Sequence, residues 1–434
     1  MRVATYTLLA AAALAVAGPA MADDPPAFTF ALHGFLGASL YAQDAYLGPS
    51  SGGQAMYALP RSLSPSADKL TLGGDVRQSR LNFSVTANNV KVLGATPKAV
   101  AEIDFFGSNG AGAYGDVSLL PRMRVAYAEL GWTNDTLNVG QMYQLVLSVL
   151  PASVGHQAFP VTYEAGTLGW RYPGFTYYHR QAMGDMKLEL ALQIQRASWG
   201  NPNVGPFADP SLPAPAEFSV GQPGLGEASA LPAFEARATL SQGATWMVSA
   251  TGHWSEVDPS GLGTTSGSGT VCGAGLHCQN LQVVAGQVSA KLNVGPLTLQ
   301  GNIYAGKNTF PLLGELLEFQ NFTVSDGDVH EWGGWAQAGY NLTKEWSVWG
   351  LAGTEQPNSS DVRHNIAITP GGGGAAGARL QNTVTNAMVR YMENGFALAL
   401  EYTHWHTVYT YAATSTSGLS TDANQLMVSG FYFF

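Results

Sequence analysis

Residues 425–434 read Gln-Leu-Met-Val-Ser-Gly-Phe-Tyr-Phe-Phe, and the run alternates. In an extended chain Leu426, Val428, Gly430, Tyr432 and Phe434 fall on one face, and Met427, Ser429, Phe431 and Phe433 on the other. The opposite end of the chain carries a different signal. Arg2 precedes the apolar run 8–17, and Ala20-Met21-Ala22 forms an A-x-A cleavage site. This is the pattern of a secretory signal peptide over residues 1–22, which leaves residues 23–434 as the mature chain. The apolar run is too short to cross a bilayer as a helix.

A terminal Phe on an alternating strand, in a chain that opens with an export signal, resembles the outer-membrane β-barrel proteins of Gram-negative bacteria. The resemblance implies export through the periplasm, recognition of the Phe434 strand by the barrel assembly machinery, and residence in the outer-membrane lipid bilayer.

Composition agrees with strands that cross lipid. Charged residues make up 12% of the 434-residue chain, about half the share in soluble domains. No segment after the leader approaches the 18 or more apolar residues of a membrane helix. The chain carries 52 Gly, 10 Trp, 18 Tyr and 18 Phe. A closed barrel satisfies every backbone group internally, so it spans lipid without a long apolar run. The net charge is −10, and no basic tail or patch suggests nucleic acid. Cys272 and Cys278 lie in a Gly/Ser-rich stretch. In an oxidising compartment a small loop disulfide is expected. A metal site with His277 is disfavoured because the ligand shell would be incomplete. No cofactor is expected.

The chain divides into sixteen strands: 28–42, 70–86, 97–107, 121–132, 136–149, 165–182, 186–198, 233–242, 244–257, 280–294, 297–307, 329–343, 346–356, 378–393, 396–412 and 424–434. Short turns alternate with long connections, as in a barrel with both termini in the periplasm. Asn134-Asp135, Gly184-Asp185, Gly243-Ala244, Gly295-Pro296, Lys344-Glu345 and Asn394-Gly395 supply turn chemistry. Pro173-Gly174 reads as a bulge inside one long strand, since a turn there would make the strand number odd. The proline-rich segment 199–232 and the glycine run 371–374 are loops. Leu188, Leu190, Leu192 and Ile194 oppose Lys187, Glu189, Gln193 and Gln195, which fits lipid outside and water inside. Trp132, Trp199, Trp254, Trp332, Trp346 and Tyr391 sit at strand ends as interfacial girdles. A sugar-binding aromatic slide is the functional alternative.

The second to fourth strands are the most charged. Arg80 shares the inward parity with Asn82 and Ser84, Glu102 pairs in parity with Asp104, and Arg122 with Arg124. Arg77 has lipid-facing parity and is placed at the rim or at a bulge. An arginine facing mid-bilayer lipid costs about 2–4 kcal/mol, so these charges belong in the lumen. An arginine wall suits anionic solutes, while paired arginines and carboxylates would stiffen the wall. Arg171, Arg180, Arg237 and Lys291 are further lumen candidates, with Glu164 in the third long connection, 150–164.

The series RQSRLNF (77–83), EIDFFG (102–107), PRMRVAYAEL (121–130) and Gly140-Gln141 resembles the 16-stranded trimeric porins, and among them the dicarboxylate-specific DcaP-like branch. The resemblance covers about residues 70–141. It implies a homotrimer, an arginine-lined eyelet for small anions, and a third loop folded into the barrel. The Pro-Glu-Phe-Gly sequence of general porins is missing from that loop. The proline-rich 199–232 segment is the other candidate for narrowing the lumen.

Two other classes compete with a non-enzymatic diffusion channel for small hydrophilic solutes. An outer-membrane enzyme would need a nucleophile or activated water beside a base. The suggestive cluster is His404-Trp405-His406 with Glu401, although no G-x-S-x-G, H-E-x-x-H or P-loop is present. A structural conduit or anchor would need a lumen free of an inward-folded loop.

Overall fold

The computed structural model describes residues 27–60, 69–107, 120–197, 225–257, 280–317, 328–368, 378–410 and 419–434. The leader, most of 199–232, and Cys272 and Cys278 lie outside the described residues.

Sixteen antiparallel strands close into a barrel. They are β1 (Phe28–Gln43), β2 in two pieces (Thr71–Asp75 and Arg80–Ala87), β3 (Thr96–Asp104), β4 (Arg122–Gly131), β5 (Asp135–Tyr143), β6 (Arg171–Met183), β7 (Met186–Gln195) and β8 (Ala233–Gln242). The series continues with β9 (Trp246–Val257), β10 (Leu281–Val294), β11 (Leu297–Lys307), β12 (His330–Asn341), β13 (Trp346–Pro357), β14 (Ala378–Glu393), β15 (Phe396–Thr410) and β16 (Leu419–Phe433). Each strand pairs with its chain neighbours, and β1 pairs with β16 from Phe35↔Phe433 to Gln43↔Gln425. Gly34 and Phe434 exchange both backbone hydrogen bonds at 3.0 Å. The terminal strand is thus the seam that abolishes the sheet edge.

The alternation read from residues 425–434 is the alternation of the wall. Leu426, Val428, Tyr432 and Phe434 are exposed on the outside, while Met427, Ser429 and Phe431 are buried inside. Leu190, Leu192 and Ile194 face out on β7, and Gln193 and Gln195 are buried within. Exposed Phe30, Leu72, Val288 and Ile303 extend the outer apolar band around the barrel. A soluble monomer rarely exposes contiguous apolar surface beyond a few hundred Å². Lipid is the solvent this surface fits. The Trp346 ring lies tilted against Tyr391 at the short-turn end, with centroids 5.2 Å apart, and Phe234 against Trp254 at the long-loop end, 6.0 Å apart. These aromatic pairs mark the two interfaces.

Turn chemistry sets the short-turn end. Asn394 and Gly395 have φ of 48° and 81°, the mirror-image turn that follows the strand twist. Pro173-Gly174 lies inside one continuous strand as expected, yet no register slip occurs there. Gly174 faces Gly140, and a Cβ on either would lie 2.2–2.3 Å from a neighbouring carbonyl oxygen. Glycine, rather than a bulge, lets the four strands β4 to β7 approach here.

Three strands depart from the expected bounds by five residues or more, and one of them, β16, starts at Leu419 rather than at 424. β5 stops at Tyr143, well before 149, and β6 starts at Arg171 rather than 165. The third connection is therefore 144–170, longer than expected, because residues 144–149 leave the wall and cross the lumen. β2 breaks at Val76–Ser79, where the chain turns inward.

Candidate functional site in the lumen

A ladder of arginines and carboxylates runs across β2, β3 and β4. Arg122 grips Asp104 with both prongs of its guanidinium, Nε to Oδ1 at 3.0 Å and Nη2 to Oδ2 at 2.6 Å. Arg124 uses all three nitrogens: Nε donates to Glu102 at 2.7 Å, Nη1 to Asp104 at 2.7 Å and Nη2 to the Tyr143 hydroxyl at 2.6 Å. Arg80 lies 3.6 Å from Glu102 and donates to the Gln157 carbonyl at 2.6 Å. The five groups named for the constriction on β2–β4 therefore meet as one cluster.

A bulge aims Arg124. The β3–β4 register slips between Glu102 and Ile103, so two residues of β4 oppose one of β3. Val125 consequently turns inward and is buried, instead of sharing the lipid face with Met123. Gln141 fills the gap by donating its side-chain amide to the carbonyls of Met123 and Arg124. Arg77 also departs from its lipid-facing parity. The break in β2 turns it inward, where it chelates Asp75 at 2.8–2.9 Å and lies 4.7 Å over the Phe106 ring.

Arg171 follows a different pattern. It is buried, sits 4.2 Å over Trp170, and pairs with no carboxylate among the described residues. The remaining candidates are spread out. Arg180 and Arg237 share Glu189 at 2.8 and 3.4 Å on the wall of β6–β8. Lys291 lies half-buried on β10. Glu164 is fully buried in the third loop and faces Arg379 at 3.7 Å.

The third loop folds into the barrel. Glu401 on β15 receives the Ser153 hydroxyl and the backbone N–H groups of Val154 and Gly155, at 2.8, 2.7 and 2.6 Å. Gln337 on β12 pairs with both backbone groups of Ala152. Glu235 on β8 accepts from the N–H of Leu145, and Gln287 on β10 donates to the Val146 carbonyl. Gln78 closes the other side by accepting from the Gln157 N–H. The far wall thus spends its polar groups as anchors for loop backbone that would otherwise be buried without partners.

Two more connections enter the lumen. The first forms a small hairpin, Leu47–Pro49 against Ala55–Ala58. The sixth places two helical turns inside, Phe310–Leu312 and Glu315–Leu317. Loops 1 and 3 bury Trp335, Leu351, Val384 and Trp405 of the inner wall, so this part of the lumen holds an apolar core rather than water. Between loop 3 and the short-turn end lies a cavity of about 330 Å³, lined by Arg80, Arg390, Ser153, His156 and Gln157 with Phe433 and Met392. Arg390 stacks 5.3 Å over Trp349 and, like Arg171, pairs with no carboxylate among the described residues.

The barrel is similar to the outer membrane channel DcaP of Acinetobacter baumannii, with a TM-score of 0.66 at 13% identity over 94% of this chain and 97% of that one. An anion-selective porin from Comamonas acidovorans matches with a TM-score of 0.54 at 11% identity, over 94% and 100%. OmpF of Salmonella typhi, in complex with daunomycin, matches at 0.50 and 13%, over 93% and 97%. The chain has the fold of the 16-stranded porins. No protein-family model matches the sequence, and no curated protein is similar to it in sequence.

Within this porin fold the rival His cluster comes apart. Glu401 points into the lumen, whereas His404 and His406 meet Asp422 on the outer face at 3.5 and 2.8 Å. No group can bridge the two sets, because the strand itself separates them. Sequence reading missed Arg390, Arg379 and the anchoring role of Glu401. The inward parity of Glu401 beside Leu400 was the available signal.

Proposed function

We propose that this chain is an outer-membrane diffusion channel for small hydrophilic solutes, with a bias toward anions such as carboxylates, and that it works without catalysis. The observation that supports this best is the charge balance of the wall facing loop 3. Arg77, Arg80, Arg122, Arg124 and Arg171 stand against Asp75, Glu102 and Asp104. The carboxylates are all engaged by arginine, which leaves a positive excess beside the lumen. On the far wall Glu235 and Glu401 are engaged by loop N–H groups, which hold and solvate these carboxylates within the wall.

In this reading Arg80 and Arg390 attract the solute at the cavity below loop 3. Arg122 and Arg124 hold the wall, and Glu102, Asp104 and the third loop fix the aperture. Residues 1–22 direct export and are removed, the Phe434 strand is delivered by the assembly machinery, and three copies associate. DcaP and the Comamonas porin, a channel and an anion-selective porin by name, favour the same reading. Swelling of liposomes carrying the folded protein tests it. Entry of small sugars and faster entry of small carboxylates support the channel; no entry of either removes it.

A further inference from the structure

Loops 1, 3 and 6 converge on one side chain. Arg379, at the long-loop end of β14, lies 4.0 Å over the ring of Tyr57 in the loop 1 hairpin. The same guanidinium is 3.7 Å from the Glu164 carboxylate of loop 3. It also donates from Nε, at 3.0 Å, and from Nη2 to the Leu316 carbonyl of loop 6. Three residues further on, Asn382 donates to the carbonyls of Met56 and Glu164, at 2.9 and 2.8 Å.

The loops also bind one another. The Gly169 N–H of loop 3 donates to Leu312 of loop 6 at 2.6 Å. Met56, Tyr163 and Leu313, one from each loop, share an apolar cluster. Each loop has wall anchors of its own. Glu331 and Glu355 receive the N–H groups of Glu315 and Leu316, Glu401 holds loop 3, and Thr407 accepts from Ala58. Arg379 is distinguished by contacting all three at once, through stacking, charge and a carbonyl.

We propose that Arg379, backed by Asn382, is a positioning residue that ties loops 1, 3 and 6 into a single constricting body. The aperture is then set by three loops jointly rather than by loop 3 alone. A guanidinium suits this task because its plane stacks on an aromatic face while its edge still donates in two directions. Lysine offers one point charge and no plane, so it cannot serve the three contacts together. This inference rests on the channel reading only for its consequence for transport, not for the tie itself.

Amide hydrogen exchange on the folded full chain in detergent tests the tie without reference to transport. Arg379→Ala is expected to speed exchange several-fold in residues 47–58, 162–169 and 309–317 together, and Arg379→Lys by less. Faster exchange in one segment alone, or in none, overturns the proposal. Should Arg379→Ala fail to fold, Tyr57→Leu serves, because it removes the stacking partner and leaves the arginine in place. Its expected result is faster exchange in loops 1 and 3, and unchanged exchange there overturns the proposal. Liposome swelling with neutral sugars of graded size adds the transport readout, since neutral probes ignore the lost charge. Admission of a larger sugar by Arg379→Ala than by wild type supports the tie. Identical size limits in a wild type that does conduct sugars overturn it, whereas a wild type that conducts none removes the channel reading and leaves the exchange result standing.

Discussion

The carboxylate of Glu401, on the inner face of β15, accepts the backbone N–H of Gly155 at 2.6 Å, from a loop 246 residues earlier in the chain. That bond and its two neighbours, from Ser153 and Val154, convert a wall residue into the seat of the constriction. Hydrogen bonds to a charged acceptor are worth roughly 1.5–3 kcal/mol each. Glu401→Ala therefore releases the first half of loop 3 while the barrel stays closed. Single-channel recording should show larger, noisier openings. Glu401→Gln keeps one acceptor oxygen and should fall between the two.

Gly166 in loop 3 has φ of 111°, and a Cβ there would meet the Gly334 backbone at 2.4–2.6 Å. Backbone strain and collision act together in Gly166→Ala. Gly184 also has positive φ but stands in open space, so Gly184→Ala bears only a left-handed backbone cost of about 1–2 kcal/mol. Thermal unfolding should therefore rank Gly166→Ala as clearly less stable than Gly184→Ala, and only the former should alter conductance.

Arg124→Ala takes one donor from each of Glu102, Asp104 and the Tyr143 hydroxyl, while Arg122 still grips Asp104 and Arg80 still faces Glu102. Leaving a buried charge with no partner costs about 3–5 kcal/mol, so the loss here stays below that. Arg171→Ala leaves no carboxylate behind and should cost less in urea unfolding of the folded barrel, despite removing a side chain that is equally buried.

Burial in loop 3 lowers the pKa of His156, with the carboxylate of Glu401 opposing the shift. Arg80 and Arg390 line the same cavity and disfavour a further positive charge. The unfolded histidine titrates near 6.5. Below that pH the unfolded state binds more protons than the folded one, so stability is full above about 6.5 and falls as acid is added, until the folded pKa is passed. Thermal unfolding at about pH 8 and pH 5 should show this loss, and His156→Gln should reduce it, carboxylates elsewhere contributing equally to both proteins.

The barrel was legible in the sequence because its signals are local. Alternation along residues 186–195 and 425–434, and turn residues such as Asn394-Gly395, depend on neighbours only a few positions away. The arginine ladder was legible in part. Parity put Arg80, Glu102, Asp104, Arg122 and Arg124 inside, but the bulge that turns Val125 inward is a two-strand property, visible only in the pairing with β3. The interior was hardest to read. Gly155 with Glu401, Glu164 with Arg379, and Tyr409, whose hydroxyl donates to Ala58, are contacts across more than two hundred residues. No periodicity encodes them. Trp335 and Trp405 read as ordinary inward positions of a wet lumen until the loops that cover them are in place.

Planar-bilayer recording with the reversal potential under a KCl gradient addresses the central claim most directly. Wild type should open as a channel that prefers chloride, and Arg80→Ala/Arg390→Ala should lose much of that preference with its conductance retained. Correctly folded protein that conducts nothing, or that prefers potassium regardless of the two arginines, would contradict it.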